Sequence, residues 1–304
     1  MTASRWPAPA KLNLFLRVTG RRPDGYHSLQ TVFQFLDLAD EVELRVRGDG
    51  SVHRVSGLAG VSPEQDLVVR AARLLQAETG TGLGVDLAVR KRIPAGGGLG
   101  GGSSDAATTL VALDRLWGLG LGVERLAALG LRLGADVPVF VRGHAAWAEG
   151  VGEVLEPVAL DEPWYLVVDP GCAVSTAAVF ADPQLTRDSP LLKIRGLFHA
   201  AGGGLPAATV AGLLAVAGND CEPLVRRRHP PVDQALRWLE ARATARMTGT
   251  GACVFAVLGS EAQARALAAD LPPPWRGFVA RGRNVSLLLT AGAAPAHWWG
   301  VAKW

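Results

Sequence analysis

The sequence predicts a mixed α/β fold, α+β in its segregation, built as two domains. Three observations carry this. Runs with an apolar period of two alternate with runs of helical period along the whole chain. At 304 residues the chain exceeds what a single core comfortably serves. Around Glu156–Pro163, prolines and charges interrupt both periodicities. The expected division is a first domain over 1–156, a second over 157–290 and a tail over 291–304 without periodicity.

In the first domain, Lys11–Val18 reads as a strand. Leu12, Leu14, Leu16 and Val18 fall on one face, with Lys11, Asn13, Phe15 and Arg17 on the other. Pro23-Asp24-Gly25 is a turn, because proline presets φ and glycine supplies the left-handed position. A second strand is predicted over Leu29–Leu36, a helix over Asp66–Thr79 and a strand over Leu83–Ile93. Next comes the glycine run Pro94–Ser104, and then a helix over Asp105–Trp117 with Ala106, Thr109, Leu110, Leu113 and Trp117 on one stripe. Glu124–Leu133 reads as a further helix, and Asp136-Val137-Pro138 opens the next element, with Asp136 in the place of an N-cap.

In the second domain Trp164–Val168 reads as a strand, Val232–Ala243 as a helix, and Met247–Leu258 as a glycine turn entering a strand. Leu197–Ala217, rich in glycine and alanine, is expected to carry an insertion. There is neither an internal repeat nor a heptad pattern.

Composition excludes several classes. A hydrophobic share of 49% with 19% charged residues is globular. A net charge of +3 suits an anionic small ligand but is no nucleic-acid footprint, and the basic run Arg226-Arg227-Arg228 reads as a solvated helix end. Cys172, Cys221 and Cys253 are scattered and odd in number, which argues against a disulfide framework and for a reducing compartment. No signal-peptide pattern opens the chain, and the longest apolar stretch, Leu205–Ala217, is too short to span a bilayer. The expectation is a cytoplasmic protein, a monomer or weak homodimer, that binds neither membrane nor nucleic acid.

The strongest local signal is Pro94, Ala95, Gly96, Gly97, Gly98, Leu99, Gly100, Gly101, Gly102, Ser103 and Ser104. Glycines let backbone N–H groups approach an anion and turn the same way. A helix starting just behind adds its positive end, and the serines add hydroxyls where a phosphate or its Mg²⁺ would lie. Two familiar phosphate loops do not fit. Gly96, Gly98 and Gly101 satisfy GxGxxG, but that fingerprint wants an acidic residue ending a second strand ~20 residues on; Asp114 and Glu124 lie instead in predicted helices. A Walker A loop wants lysine after its last glycine, where Ser103 stands.

The loop resembles that of the GHMP kinases, the small-molecule kinases named for galactose, homoserine, mevalonate and phosphomevalonate. Pro9–Leu14, Asp24-Gly-Tyr-His27, Leu133-Gly-Ala-Asp-Val-Pro138 and Met247-Thr-Gly-Thr-Gly251 are similar, in order and rough spacing, to one branch of that family. Its acceptor is a cytidyl-diphosphate sugar alcohol, a methylerythritol of the non-mevalonate isoprenoid route. The resemblance covers about Trp6 to Asn284.

It implies an active site in the cleft between the domains, ATP and Mg²⁺ as cofactors, and phosphorylation of the acceptor's 2-hydroxyl. It places the catalytic base on Asp136 and its electrostatic partner on Lys11. Substrate contacts fall on Asn13 for the erythritol hydroxyls, Tyr26 and Phe180 for the faces of the cytosine, His27 for its edge and Thr176 nearby. Gly249 and Gly251 read equally well as cleft floor or as a tight turn. Asp66 departs from the asparagine expected near the adenine. Asp105, just behind the loop, would repel phosphate unless it turned away to cap the helix. No residue stands out as an obligatory Mg²⁺ ligand. A mevalonate- or homoserine-type kinase, or a non-catalytic nucleotide-binding protein, is the alternative. Tyr26, His27 and Phe180 argue against the first, since those substrates carry no base, and the presence of both Lys11 and Asp136 argues against the second.

Overall fold

The computed structural model describes residues 3–56, 60–193 and 209–291. Its strands are β1 (Ser4–Arg21), β2 (His27–Arg47), β3 (Val52–Arg54), β4 (Gly84–Arg90), β5 (Ala146–Glu149), β6 (Val154–Pro157), β7 (Trp164–Asp169), β8 (Ala245–Met247), β9 (Val254–Leu258) and β10 (Arg276–Arg283). Its helices are α1 (Leu67–Thr79), α2 (Gly101–Leu116), α3 (Gly122–Leu131), α4 (Val137–Arg142), α5 (Thr176–Ala181), α6 (Val210–Val216), α7 (Glu222–Arg228), α8 (Pro230–Glu240), α9 (Glu261–Ala269) and α10 (Leu287–Ala291). None of the described helices is long and apolar enough to cross a membrane.

Ten strands form one sheet with the path β3-β4-β2-β10-β7-β9-β8, from which β1 branches by antiparallel pairing with β2. The two halves meet at a narrow seam, where β10 pairs with β2 through Gly282↔Leu36 and Arg283↔Phe35. Tyr165 on β7 locks the seam from inside, its buried hydroxyl donating to Gln34 at 2.5 Å.

Three apolar clusters follow this layout. One lies between α1–α4 and β2–β4, and includes Leu75, Leu110, Val137 and Phe140. A central one joins Leu12 and Leu14 of β1 to Trp147, Val167 and Phe255. A third packs Leu16 and Val18 under α7 and α8, with Leu224 and Leu236. Strand β1 therefore feeds both halves, which is how a residue at its middle can face the cleft between them.

The strands and helices expected from periodicity are present, with three differences of consequence. The alternation along β1 breaks: Phe15 joins Leu12 and Leu14 in the central cluster, against Trp147 at 5.6 Å, instead of sharing a face with Lys11 and Asn13. The β1–β2 register shifts between Asn13 and Leu16, and such a bulge re-aims the following side chains. Helix α2 begins at Gly101, ahead of the Asp105 expected, so Gly101, Gly102 and both serines form its first turn. A helix whose first residues are glycines has no propensity signal to mark its start. Strand β2 runs to Arg47, well past Leu36. Of the segment expected to carry an insertion, 197–208 lies outside the described residues and 210–216 is helix α6; of the tail, 292–304 lies outside them.

Candidate active site

A cleft of about 520 Å³ opens between the glycine loop, β1, the start of α4 and the start of α5. Pro94 through Ser103 line it without a break, with Lys11, Asn13, Asp136, Thr176, Phe180, Gly249 and Thr250.

The loop winds with Gly96, Gly98 and Gly100 in the left-handed region, at φ of 67°, 75° and 72°. Its carbonyls are held by the protein: Gly96 O accepts from the Ala252 N–H, Gly97 O from Cys253 and Leu99 O from Lys11. With the oxygens turned inward, the alternating left-handed residues form a concave set of N–H groups of the kind that binds anions. The packing leaves no room for side chains here. A Cβ on Gly98 would stand 2.3 Å from Thr248 O, and one on Gly97 2.5 Å from Cys253 Sγ. Gly100 is the N-cap of α2 and offers no capping side chain, so the first N–H groups of a 16-residue helix also face the cleft unpaired by a cap. Ser103 lines the cleft, whereas Ser104 is fully buried and its Oγ has no partner.

Lys11 is 3% exposed, an unusual position for an ammonium, and its surroundings explain it. Nζ donates to Asn13 Oδ1 and, at 3.0 Å, to Gly98 O of the loop. It lies 3.3 Å from Asp136 Oδ2 and over the Phe33 ring at 5.4 Å. Asp136 holds the N-cap position of α4 but makes no capping hydrogen bond; its carboxylate turns to Lys11 and remains about a third exposed toward the cleft. The local reading of Asp136 as a cap is thereby replaced by a cleft-facing ion pair. Asn13 is fixed from both sides, since its N–H donates to Thr248 Oγ1 at 2.9 Å and its Nδ2 to Thr31 Oγ1 at 3.0 Å.

Behind the loop, Asp105 does not cap α2. Its Oδ2 accepts from Lys91 Nζ at 2.7 Å, and Lys91 also pairs with the buried Asp40, which in turn accepts the N–H groups of Arg92 and Ile93. Two carboxylates thus share one ammonium at the edge of the cleft. Burial pushes the Asp105 carboxyl up to about 7, opposed by Lys91 and reinforced by Asp40. Burial by itself would lower Lys91, but the two acids hold it above its ordinary value. Asp66 is likewise accounted for locally: it caps α1 by accepting from the Val68 N–H at 3.1 Å and pairs with Arg54 at 2.9 Å.

At the other end of the cleft, the ring of Phe180, a wall residue, stacks on that of His27, which is not one, with centroids 5.1 Å apart and planes 23° from parallel. Tyr26, 62% exposed, stands beside this pair at the tip of the turn and is not part of the cleft wall. Thr176 Oγ1 meets Thr250 Oγ1 at 2.8 Å, tying the start of α5 to the Gly249 turn. Asn219 Nδ2 holds that turn by donating to Met247 O and Gly249 O. Gly249 is both turn and cleft wall, while Gly251 packs against Met247 and Val225.

The residues that sequence reasoning missed are the supporting ones: Thr31, Lys91, Arg187, Asn219 and Thr248. Thr248 lies in the Met247–Gly251 motif without being singled out there, and the other four sit in no motif. Their roles come from partners distant in the chain, as in the hydrogen bond between Asn13 and Thr248. Among the described residues there is no cluster of three or more His, Cys, Asp or Glu side chains able to hold a metal.

The arrangement can bind a polyphosphate on the loop and helix terminus, and it sets a carboxylate with an ammonium at the place where an acceptor hydroxyl could approach. Comparison with known proteins bears on it. The chain matches the family described as GHMP kinases N terminal domain over residues 66–144 and GHMP kinases C terminal over 207–275. It is 60% identical to the 4-diphosphocytidyl-2-C-methyl-D-erythritol kinase of Alkalilimnicola ehrlichii, over 93% of this chain and 92% of that one. It is 55% identical to the protein of the same name from Nitrosococcus oceani, over 93% and 96%. Among solved structures, a 4-(cytidine 5'-diphospho)-2C-methyl-D-erythritol kinase superposes with a TM-score of 0.74 at 35% identity, over 91% of this chain and 98% of that one. The homoserine kinase of Cytophaga hutchinsonii, at 18% identity and a TM-score of 0.62 over 94% and 96%, shares the fold.

Proposed function

The chain belongs to the GHMP kinase family, in its 4-diphosphocytidyl-2-C-methyl-D-erythritol kinase branch, and from that premise we propose that it transfers the γ-phosphate of ATP to the 2-hydroxyl of 4-diphosphocytidyl-2-C-methyl-D-erythritol, with Asp136 as base and Lys11 as its electrostatic partner. This is a phosphorylation step of the non-mevalonate isoprenoid pathway. The observation that carries the reading is the reach of Lys11, which touches both the Asp136 carboxylate and the Gly98 carbonyl of the loop.

Phosphoryl transfer is mainly positioning and charge stabilisation. The loop N–H groups and the α2 terminus receive the β- and γ-phosphates. Asp136 orients the acceptor hydroxyl and takes its proton. Lys11 pairs with that carboxylate and offsets charge developing on the phosphoryl group. Asn13 already uses Oδ1 on Lys11 and one Nδ2 hydrogen on Thr31, so its other Nδ2 hydrogen is what it offers the erythritol hydroxyls. Tyr26 and Phe180 supply faces for the cytosine, His27 its edge contact, and Thr176 a nearby hydroxyl; the imidazole lies offset on Phe180, so a base in the plane of His27 uses the part of that ring face the imidazole leaves uncovered.

The residues present fit a Mg²⁺ that arrives on the nucleotide, since that ion keeps waters and takes one or two protein oxygens. Ser103, on the cleft wall, is the hydroxyl that would hold it, with the orphaned Ser104 Oγ buried one residue behind. When bound, the ion neutralises phosphate charge during transfer. We place the boundary between the two domains around Glu156–Pro163, the first domain ending at 156, and read the protein as cytoplasmic and a monomer or weak homodimer.

The test is ATP turnover with the cytidyl-erythritol acceptor beside mevalonate and homoserine. A higher kcat/KM for either of the latter would overturn the assignment.

A further inference from the structure

We propose that Arg187 decides which pyrimidine this enzyme accepts, by fixing the tautomer of His27; the inference rests on the reading of Tyr26, His27 and Phe180 as the base site. Arg187 Nε lies 3.0 Å from His27 Nε2. A guanidinium only donates, so Nε2 must be the unprotonated nitrogen and the proton of the neutral ring must sit on Nδ1. The fork is itself held in place: its other nitrogens donate to Leu185 O at 3.1 Å, Phe180 O at 2.8 Å and Asp182 O at 2.7 Å. Phe180 therefore contributes twice, its carbonyl anchoring the arginine and its ring stacking on the histidine. The imidazole is buried to 8% exposure, and the stack and the guanidinium together restrain its rotation. Burial, then the charges of Arg187 and Arg21, hold its pKa below the ordinary value, so the ring is neutral at working pH and has one donor only.

That donor, Nδ1–H, discriminates between pyrimidines. N3 of cytosine is a hydrogen-bond acceptor, whereas N3 of uracil carries a hydrogen and donates. An Nδ1–H aimed at this edge pairs with cytosine and meets uracil donor to donor, leaving two polar groups unpaired in a buried site. The opposite tautomer would present a lone pair and reverse the preference. Arg187 is thus a positioning residue, acting through His27 without touching the base.

The experiment has a substrate-free arm and a kinetic arm. In protein labelled with ¹⁵N at histidine, long-range ¹H–¹⁵N correlation at pH 8 reports the tautomer of each of the 6 histidines, with His27 assigned by its absence in His27→Gln. The expected wild-type state is Nδ1–H, shifting toward Nε2–H in Arg187→Met and kept in Arg187→Lys, whose ammonium also only donates. In the kinetic arm, the ratio of kcat/KM for the cytidyl acceptor over its uridyl analogue should fall at least tenfold (~10-fold or more) in Arg187→Met, with KM for ATP changed less than about twofold. An Nε2–H ring in the wild type, which needs no variant to fold, overturns the proposal. So does a tautomer change that leaves the cytidyl-to-uridyl ratio where it was. An enzyme that phosphorylates neither pyrimidine acceptor overturns the functional reading and this inference with it, and the tautomer spectrum tells that failure from a failure of Arg187 alone.

Discussion

The ammonium of Lys11, on β1, lies 3.3 Å from the carboxylate of Asp136, at the start of α4, and the same ammonium reaches the glycine loop at Gly98. The pair is dry on the Lys11 side and open to the cleft on the Asp136 side, so the carboxylate is held without being hidden. Asp136 makes no capping hydrogen bond, so Asp136→Asn should fold normally. Its kcat should fall by about 10²–10⁴, the usual contribution of a general base. A variant keeping more than about a third of the wild-type kcat would remove Asp136 from the mechanism.

Lys11→Met should cost both rate and stability. The substitution leaves the buried Asn13 Oδ1 without its Lys11 donor, and Gly98 O with only the longer bond from Thr248 Oγ1 at 3.4 Å. An orphaned buried acceptor costs about 1–3 kcal/mol. Urea unfolding should show a midpoint lowered with unchanged slope, and turnover should be nearly lost. Full stability would mean that the ammonium is not integral to the cleft wall.

Gly100→Ala should weaken nucleotide binding. Glycine at φ 72° adopts a conformation that L side chains rarely take, and a Cβ there would stand 2.8 Å from Phe140 and 3.0 Å from Lys11 Cε. The loop or Lys11 must move. Calorimetry with a non-hydrolysable ATP analogue should show affinity reduced at least tenfold (~10-fold or more). Unchanged affinity would place the phosphates elsewhere.

Asp105 makes stability depend on pH. Its carboxyl titrates near 7 in the folded protein against an ordinary 3.8, so between these values the folded state holds a proton that the unfolded state has released. Stability from this group is complete below the lower value and is lost as pH rises through about 7. Asp105→Asn, which leaves Lys91 its partner Asp40, should flatten that decline and raise stability at pH 8. Unfolding midpoints at pH 5 and pH 8 for both proteins decide it; equal slopes would mean that Asp105 ionises freely.

Tyr26→Ala should act on the acceptor alone. Stacking a base on an aromatic ring contributes roughly 1–3 kcal/mol. KM for the cytidyl acceptor should therefore rise about ten- to a hundredfold, with KM for ATP unchanged. Equal losses for both substrates would make Tyr26 a structural residue of the turn.

Much of the fold is legible in the amino-acid order, because strands β1, β4 and β7 and helices α1 and α8 carry local periodicity. The glycine loop is legible for a similar reason, since left-handed φ at Gly96, Gly98 and Gly100 demands glycine whatever surrounds it. Two local rules misled. Periodicity put Phe15 on the face of Lys11, and a bulge whose register is set by β2 moved it. Capping rules offered Asp136 to α4 and allowed Asp105 to α2, but each carboxylate turned to a lysine distant in the chain.

The order of residues alone establishes the class of fold, the loop and, through four spaced motifs, the family. It could name Lys11, Asn13 and Asp136, but local pattern has no term for what lies across a cleft. Folding is what buries Lys11 between the loop and Asp136, makes Asp105 share Lys91 with Asp40, and brings Arg187 to His27. Backbone conformation is governed by neighbours in the chain and can be read from them. The charge state of a carboxylate and the tautomer of an imidazole are governed by neighbours in space, through burial and single hydrogen bonds, and these exist only once the chain has folded.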